Sequence, residues 1–448
     1  MRVAFVIWPA PAHLYPLVPL AWALRAAGHE VVVASHPAIA AETASAGLTP
    51  VSVCDADAMP GLVGPGGAYP AERADLDRLT DELGLTPDDP DREHWDVLTQ
   101  YYIPSMWDFV PYRGRPDQEM PAMDGLVSFA RTWEPDLVLW DPTVPGAAVA
   151  ARVSGAAHAR WWTAPDVFGK GLDLLEARNE GSDDPVDDPL VETVRPLAER
   201  YGVTVDRELL LGQWTVNPQP PAVGPEVSAP TLPVRWIPHS RQDAMPDWLY
   251  PVPDRPRVAI SLGLSERSFM EGGWDHVPAL FEALSDLDVE VVATLNALQL
   301  SAVDKIPDNV RVVEFVALGQ LMPTCDLLIH HGGMGTVMPA IANGVRQIVV
   351  DFADHKITTT ELLGERVDRS RYSLGPALAR YATDSGAGLV MNVSRPDAFT
   401  MRETIQRVLT EPSFQRGTDR LRSDLLATPA PAEVVPILER LTAEHRGR

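Results

Sequence analysis

The stretch "RVAFVIW" (Arg2 to Trp8) sets a pattern that the chain later repeats, and that repetition constrains the fold most. The run is short, apolar and β-branched, as in a strand covered on both faces. A Pro-rich loop follows. "LVPLAWALRAAG" then has helical spacing with Gly28 as its stop signal, and "EVVVAS" (Glu30 to Ser35) reads as the next strand. Strand, helix, strand in this order predicts a parallel sheet. "PDLVLWD" (to Asp141) and "AHARWW" (to Trp162) continue it, with the helix "TVPGAAVAARVSG" between them. After a stretch dense in proline, "RVAISLGLS" restarts the pattern, which runs on through "VEVVATL", "VRVVEFV", "DLLIHHGG" and "RQIVVDF".

A chain of 448 residues exceeds one ordinary core. The expectation is therefore an α/β protein of two doubly wound, Rossmann-like domains facing each other. The expected boundaries are an N-terminal domain over residues 1–220, a proline-rich connection over 221–255 and a C-terminal domain over 256–428. In the tail, 429–448, a helix from Pro431 to His445 would pack back across the domain boundary. One segment breaks the grammar. From about Asp55 to Met123 the chain is rich in Pro, Gly and Asp, with Trp95, Tyr101, Tyr102, Trp107, Phe109 and Tyr112 interspersed. It reads either as a binding or interaction element or as ordinary packed helices and loops.

Composition removes several function classes. The formal net charge of −25 leaves no basic face for phosphate neutralisation, so nucleic acid is not an expected partner. Cys54 and Cys325 do not make a disulfide framework, and Cys325 reads as a small buried residue. Pro9, Pro11, His13 and Pro16 interrupt the apolar N-terminus, and no run reaches the ~18 apolar residues of a membrane span. The expectation is a cytoplasmic protein without a membrane partner.

The chemistry-bearing stretch is "IHHGGMGTVMPA" (Ile329 to Ala340). His330 and His331 are adjacent, so on a strand they point to opposite faces and do not form a ligand pair; neither HExxH nor CxxC is present. A strand, a glycine-rich turn and a helix start instead offer free backbone N–H groups and a positive dipole end for phosphate. Gly332, Gly333 and Gly335 allow close backbone approach, Thr336 adds a hydroxyl, and His331 can donate to a phosphate oxygen. A tight βα turn with no ligand is the competing reading, since the stretch is neither a Walker loop nor a clean GxGxxG. In open α/β sheets, ligands sit beyond the C-terminal strand ends. His13 follows the first strand and Asp141 closes the "DLVLWD" strand, so both fall on one sheet edge. A histidine oriented by a carboxylate is the constellation of a general base. Separately, each residue also reads as a helix opening or cap.

Together, "HLYPLVPLAWALRAAGHEVVVAS", "VSFARTWEPDLVLWDP", "GQWTVNPQP", "ISLGLSERS", "IPDNVRVVEFVALGQLMPTCDLLIHHGGMGT" and "LLATPAPAEVV" resemble glycosyltransferase family 1 over nearly the whole chain. Within it they resemble the bacterial deoxysugar transferases of macrolide and aromatic polyketide antibiotics, most of all the erythromycin-type desosaminyltransferases. The resemblance implies a two-domain GT-B fold with an interdomain cleft. It implies inverting, metal-independent transfer from a nucleotide sugar, here a thymidine-diphosphate (TDP) deoxysugar as co-substrate, to a polyketide-type acceptor, with no resident cofactor. By position, His13 would be the base and Asp141 its orienting partner, where some macrolide enzymes carry Glu. His331, Gly335 and Thr336 would bind the diphosphate, Val316 would present backbone groups to the nucleotide base, and Ser261 would line the phosphate and sugar side.

The chain departs from the family pattern twice. The usual Asp-Gln that holds sugar hydroxyls is Asp354-His355 here, which agrees with a deoxygenated or amino sugar. An insertion then separates Lys356 from Gly386. Trp161-Trp162 and the aromatic segment suit an apolar acceptor. The resemblance also implies a cytochrome-P450-like activator docking on Asp55 to Met123, and it leaves a homodimer open. DxD matches such as Asp55-Ala-Asp57 and Asp286-Leu-Asp288 are expected by chance among 62 acidic residues. Two other classes compete: a GT-B binding or scaffold protein, opposed by the intact His13, Asp141 and His331, and a nicotinamide-dependent oxidoreductase, opposed by the missing GxGxxG after the first strand.

Overall fold

The computed structural model describes residues 1–57, 70–111, 115–241, 243–263, 274–351, 357–362, 365–369 and 375–447. The chain forms two compact units. The first is built from Met1–Val234, Glu361–Glu365 and Pro429–Arg448, the second from Arg235–Thr360 and Arg366–Thr428.

The first unit holds a seven-stranded, all-parallel sheet. Its strands are β1 (Arg2–Val6), β2 (Glu30–Ser35), β3 (Thr49–Ser52), β4 (Leu137–Trp140), β5 (Ala157–Trp161), β6 (Trp214–Asn217) and β7 (Thr231–Pro233), in the order β3-β2-β1-β4-β5-β6-β7. All four residues of β4 are buried, as in a parallel sheet covered on both faces. Both edge strands contain a proline, Pro50 in β3 and Pro233 in β7, where a missing N–H costs no ladder bond. One core layer joins Phe5 and Leu139 of the sheet to Leu20 and Leu24 of the helix Val18–Ala26. Val434, Val435 and Leu438 of the terminal helix Pro431–His445 complete that layer, so the chain end belongs to the first unit's core.

The aromatic segment is mainly helical: Pro70–Glu82, Arg92–Val97, a π-helical turn Leu98–Tyr102, Ile103–Met106 and, beyond an irregular stretch, Pro121–Trp133. Trp95, Leu98, Thr99, Tyr102 and Met106 recur at helical spacing and are all buried. Trp95 is fully enclosed, and its indole N–H donates to Thr80 Oγ1 at 2.9 Å. Acidic and proline-rich flanks hide this periodicity in the sequence. Tyr112 lies outside the described residues.

The second unit has a six-stranded parallel sheet from β8 (Arg257–Ser261), β9 (Glu290–Thr294), β10 (Val310–Val313), β11 (Leu327–His330), β12 (Arg346–Asp351) and β15 (Gly388–Asn392), ordered β10-β9-β8-β11-β12-β15. Within the insertion, β13 (Ile357–Leu362) and β14 (Glu365–Arg369) pair as a separate two-stranded sheet, and a helix, Gly375–Asp384, follows. The stretch expected to be a plain connection instead supplies β7 to the first sheet and a turn of 3₁₀ helix, Asp247–Leu249, to the second unit. Its prolines sit at an edge strand and in loops, where they are tolerated.

Both sheets wind outward from a first strand and then reverse, so each has a switch point between its first and fourth strands: β1 and β4 in one unit, β8 and β11 in the other. Loops leaving the carboxyl ends of those strands diverge and open a crevice. Among the described residues, no helix is long and apolar enough to cross a membrane.

Candidate active site

At the first switch point the chain leaves β1 and turns into the short helix Pro11–Leu14, which carries His13. Asp141 immediately follows β4, its N–H bonded to Val6 O at 2.9 Å. The β1–β4 register, Val6 opposite Trp140, thereby brings residues 128 positions apart together. His13 Nδ1 forms a short hydrogen bond with Asp141 Oδ2. Asp141 Oδ1 accepts from the Thr143 N–H at 2.9 Å and the Thr143 hydroxyl at 2.6 Å. The carboxylate is thus both an oriented partner for His13 and the cap of its own loop. Burial would raise its pKa, but attraction to His13 and the His13 and Thr143 hydrogen bonds outweigh burial and hold it below 3.8. The Asp141 side chain is 5 % exposed and that of His13 33 %, so the ring reaches solvent from a buried anchor.

Aromatic side chains cluster beside this pair. The Trp8 ring centroid lies 6.5 Å from that of His13 and 5.0 Å from that of Phe109. Tyr102 packs on Trp162 and Phe168 at 5.0 and 5.3 Å. Burial, then Tyr101, then the Asp141 charge raise the Tyr102 pKa well above 10, so its phenol stays neutral. The helix that carries Phe168, Val167–Asn179, is pinned by a buried ion pair. Arg160, fully enclosed, donates to both oxygens of Asp166 at 2.8 and 2.6 Å, and Asp166 caps the helix through the Gly169 N–H. Trp161 and Trp162 diverge by strand alternation: Trp161 enters the core against Phe5, while Trp162 joins the aromatic cluster.

At the second switch point β11 ends at His330, and "HGG" turns into the helix Met334–Asn343. Gly332 has φ +89° and Gly333 is the N-cap. The Thr336 hydroxyl donates to Gly333 O at 2.6 Å, closing the first turn. The His331 ring lies on glycine backbone from both switch-point loops. A Cβ on Gly263, just past β8, would sit 2.7 Å from His331 Cε1, and one on Gly333 would sit 2.5 Å from Nε2. A Cβ in either place would push the ring away, so the two glycines let it lie against the backbone. A Cβ on Gly335, by contrast, meets no atom within 4 Å. That glycine, at the helix N-terminus, faces open space.

Ser261 ends β8 opposite His330, 8 % exposed. Val316 lies beyond β10, and its side chain is buried in a core cluster with Leu249, Ala259 and Leu328. Asp354 and His355 lie outside the described residues. Among the described residues, no group of three or more His, Cys, Asp or Glu is arranged to hold a metal ion.

Two family models cover most of the chain. Residues 22–263 match the N-terminal domain of erythromycin biosynthesis protein CIII-like proteins, and residues 278–366 and 375–441 match the C-terminal domain. The chain belongs to the erythromycin biosynthesis protein CIII-like family. It is 37 % identical over 450 residues to aclacinomycin-T 2-deoxy-L-fucose transferase of Streptomyces galilaeus, covering all of this chain and 97 % of that protein. It is 36 % identical to 10-deoxymethynolide desosaminyltransferase of Streptomyces venezuelae, covering all of this chain and 98 % of the relative. The crystal structure of glycosyltransferase VinC in complex with dTDP superposes with a TM-score of 0.76 at 29 % identity, over 99 % of this chain and 100 % of VinC. The CIII-like chain is a glycosyltransferase with the two-domain α/β GT-B fold.

Sequence reasoning reached His13, Asp141 and the glycine turn of this CIII-like protein. It missed Gly263 and Trp8, and it treated His330 only as a candidate ligand. Gly263 had a signal, a glycine two residues past a strand, but its importance depends on β8 lying beside β11, which composition does not reveal.

Proposed function

We propose that this chain is an inverting transferase that moves a deoxysugar or aminodeoxysugar from a TDP-sugar to a hydroxyl of a polyketide-type aglycone. The observation that carries the reading is the His13–Asp141 pair: a partly exposed imidazole bonded through Nδ1 to a buried carboxylate. With Nδ1 engaged, Nε2 is the basic nitrogen. It takes the acceptor's hydroxyl proton as that oxygen bonds to the anomeric carbon. The bond from that carbon to the phosphate oxygen breaks on the opposite face, and its electron pair leaves with TDP. Inversion follows from the single displacement. Asp141, ionised at neutral pH, stabilises the imidazolium that forms.

The glycine turn supports the donor half of the reading. Helix N–H groups and the His331 ring would hold the diphosphate and stabilise the charge that grows on it, so no metal ion is assigned to that task. Relatives named as deoxy-L-fucose and desosaminyl transferases support a deoxygenated sugar, and the VinC–dTDP complex supports a thymidine nucleotide. Ser261 and Val316 are assigned to the sugar–phosphate and base sides, and Asp354 and His355 to the sugar. The aromatic cluster of Trp8, Phe109, Tyr102 and Trp162 would receive the apolar aglycone. A P450-like activator on the N-terminal unit remains part of the proposal by family likeness. Calorimetric titration with TDP and UDP, with chelator present, tests the donor site. TDP should bind more tightly than UDP, and His331→Ala should weaken the binding of both by about tenfold or more; unchanged TDP affinity in His331→Ala would remove the assignment.

A further inference from the structure

His330 is fully buried at the end of β11, and its side chain folds back along its own backbone to accept the Gly332 N–H on Nδ1 at 3.0 Å. This closes the same ring that an Asx turn closes, with an imidazole nitrogen in place of a carboxamide oxygen. Because Nδ1 accepts, the ring proton must be on Nε2. Burial is the main cause, and the adjacent His331 a smaller one, that lowers the His330 pKa to about 3, so this tautomer is neutral across the physiological range. Gln347 of β12, also fully enclosed, lies beside the ring and offsets part of that lowering.

The bond engages the one amide of the turn whose residue has left-handed backbone, Gly332 at φ +89°. With that amide turned inward, the chain leaves the strand on a single path. Gly333 is extended at the N-cap, and the His331 ring is laid across Gly333 and Gly263. A strand residue with no acceptor two positions before Gly332 would leave that N–H buried and unbonded, or let the turn rotate to find water.

We propose that His330 is a positioning residue for the donor site: its neutral Nδ1 locks the Gly332 amide and thereby fixes the His331 ring and the helix N-terminus in diphosphate-binding geometry. The inference rests on the reading of the turn as the diphosphate site, and its test separates the two. The site of Nδ1 is reproduced by the Oδ1 of asparagine but not by the longer glutamine, whose amide falls near the position of Nε2.

The experiment measures TDP affinity and thermal unfolding for the wild type, His330→Asn, His330→Gln and His331→Ala. His330→Asn should bind TDP within about threefold of wild type, and His330→Gln should bind about tenfold or more weakly, the ratio expected when a buried amide loses its acceptor. The nitrogen-15 spectrum of the His330 ring, assigned by its loss in His330→Asn, should show an acceptor Nδ1 and a protonated Nε2 unchanged from pH 8 to pH 6. Equal TDP affinity for the Asn and Gln variants, whether both are tight or both weak, overturns the positioning role. So does a proton on Nδ1. If instead His331→Ala binds TDP as the wild type does, the diphosphate reading itself fails, and the inference falls with it.

Discussion

The tightest geometric constraint in the candidate donor site is the contact of His331 with Gly333, and Gly333→Ala perturbs it alone. Gly333 has φ −75° and ψ 145°, which alanine adopts without strain. The exchange of glycine for alanine at an N-cap costs less than about 1 kcal/mol. The new methyl would stand 2.5 Å from His331 Nε2 and 3.0 Å from Cε1, where ordinary contact begins at 3.4 Å. The ring must therefore retreat by about 1 Å, enough to spoil a hydrogen bond to a bound diphosphate. A hydrogen bond to a charged group contributes ~1.5–3 kcal/mol, so a partial loss predicts about tenfold weaker TDP binding. Calorimetry should show that drop while the thermal midpoint moves by only a few degrees. The double variant isolates the cause: in a His331→Ala background, Gly333→Ala should have no further effect. Wild-type affinity in Gly333→Ala, or an equal loss in both backgrounds, would refute the reasoning.

Other consequences concern the first unit. Asp141→Asn should keep TDP affinity and lower kcat by about 10²- to 10⁴-fold, because a neutral amide cannot stabilise the imidazolium; steady-state kinetics with a competent donor and acceptor checks this. Asp166→Asn leaves Arg160 enclosed beside a weakened partner and should destabilise the first unit by about 3 kcal/mol or more, read by urea unfolding. Stability should also depend on pH in two windows. Burial lowers the His158 pKa from 6.5 to about 3, so the unfolded chain binds that proton first and stability falls as pH drops from 6.5 toward 3. His158→Gln should flatten that slope in thermal melts. Asp141, held below 3.8, adds stability above that value and loses it as pH falls through its lowered folded pKa; Asp141→Asn should remove that lower step.

Much of this architecture was legible in the chain. β1, β2, β4 and β5, and β8 through β12, are runs of β-branched and apolar residues that only a parallel sheet covered on both faces requires. β3, β6, β7 and β15, and the β13–β14 pair, were not read as strands; β3, β7 and β15 each contain proline or glycine and sit at sheet edges, where the apolar signal is weak. The helices of the aromatic segment were hidden for the opposite reason: Trp95, Leu98 and Tyr102 keep helical spacing, but acidic and proline-rich flanks dilute it. His13 and Asp141 could be paired from sequence because each follows a strand that the pattern itself announces. The cradle of His331 could not, because Gly263 and Gly333 meet only through the adjacency of β8 and β11. His330 was unreadable for a similar reason, since its ring closes a turn whose backbone angles sequence does not print.

The most direct test of the account is one comparison of binding and turnover. Wild type and His13→Ala would be incubated, with chelator present, with TDP-deoxysugars and polyketide aglycones, following TDP release and the anomeric configuration of the product. The account predicts transfer with inversion by the wild type. For His13→Ala it predicts unchanged TDP affinity and a rate lower by about 10²-fold or more. Retention of configuration, wild-type turnover by His13→Ala, or a wild-type protein that binds TDP-sugar and transfers it to none of these acceptors, with or without a co-expressed activator, would contradict it.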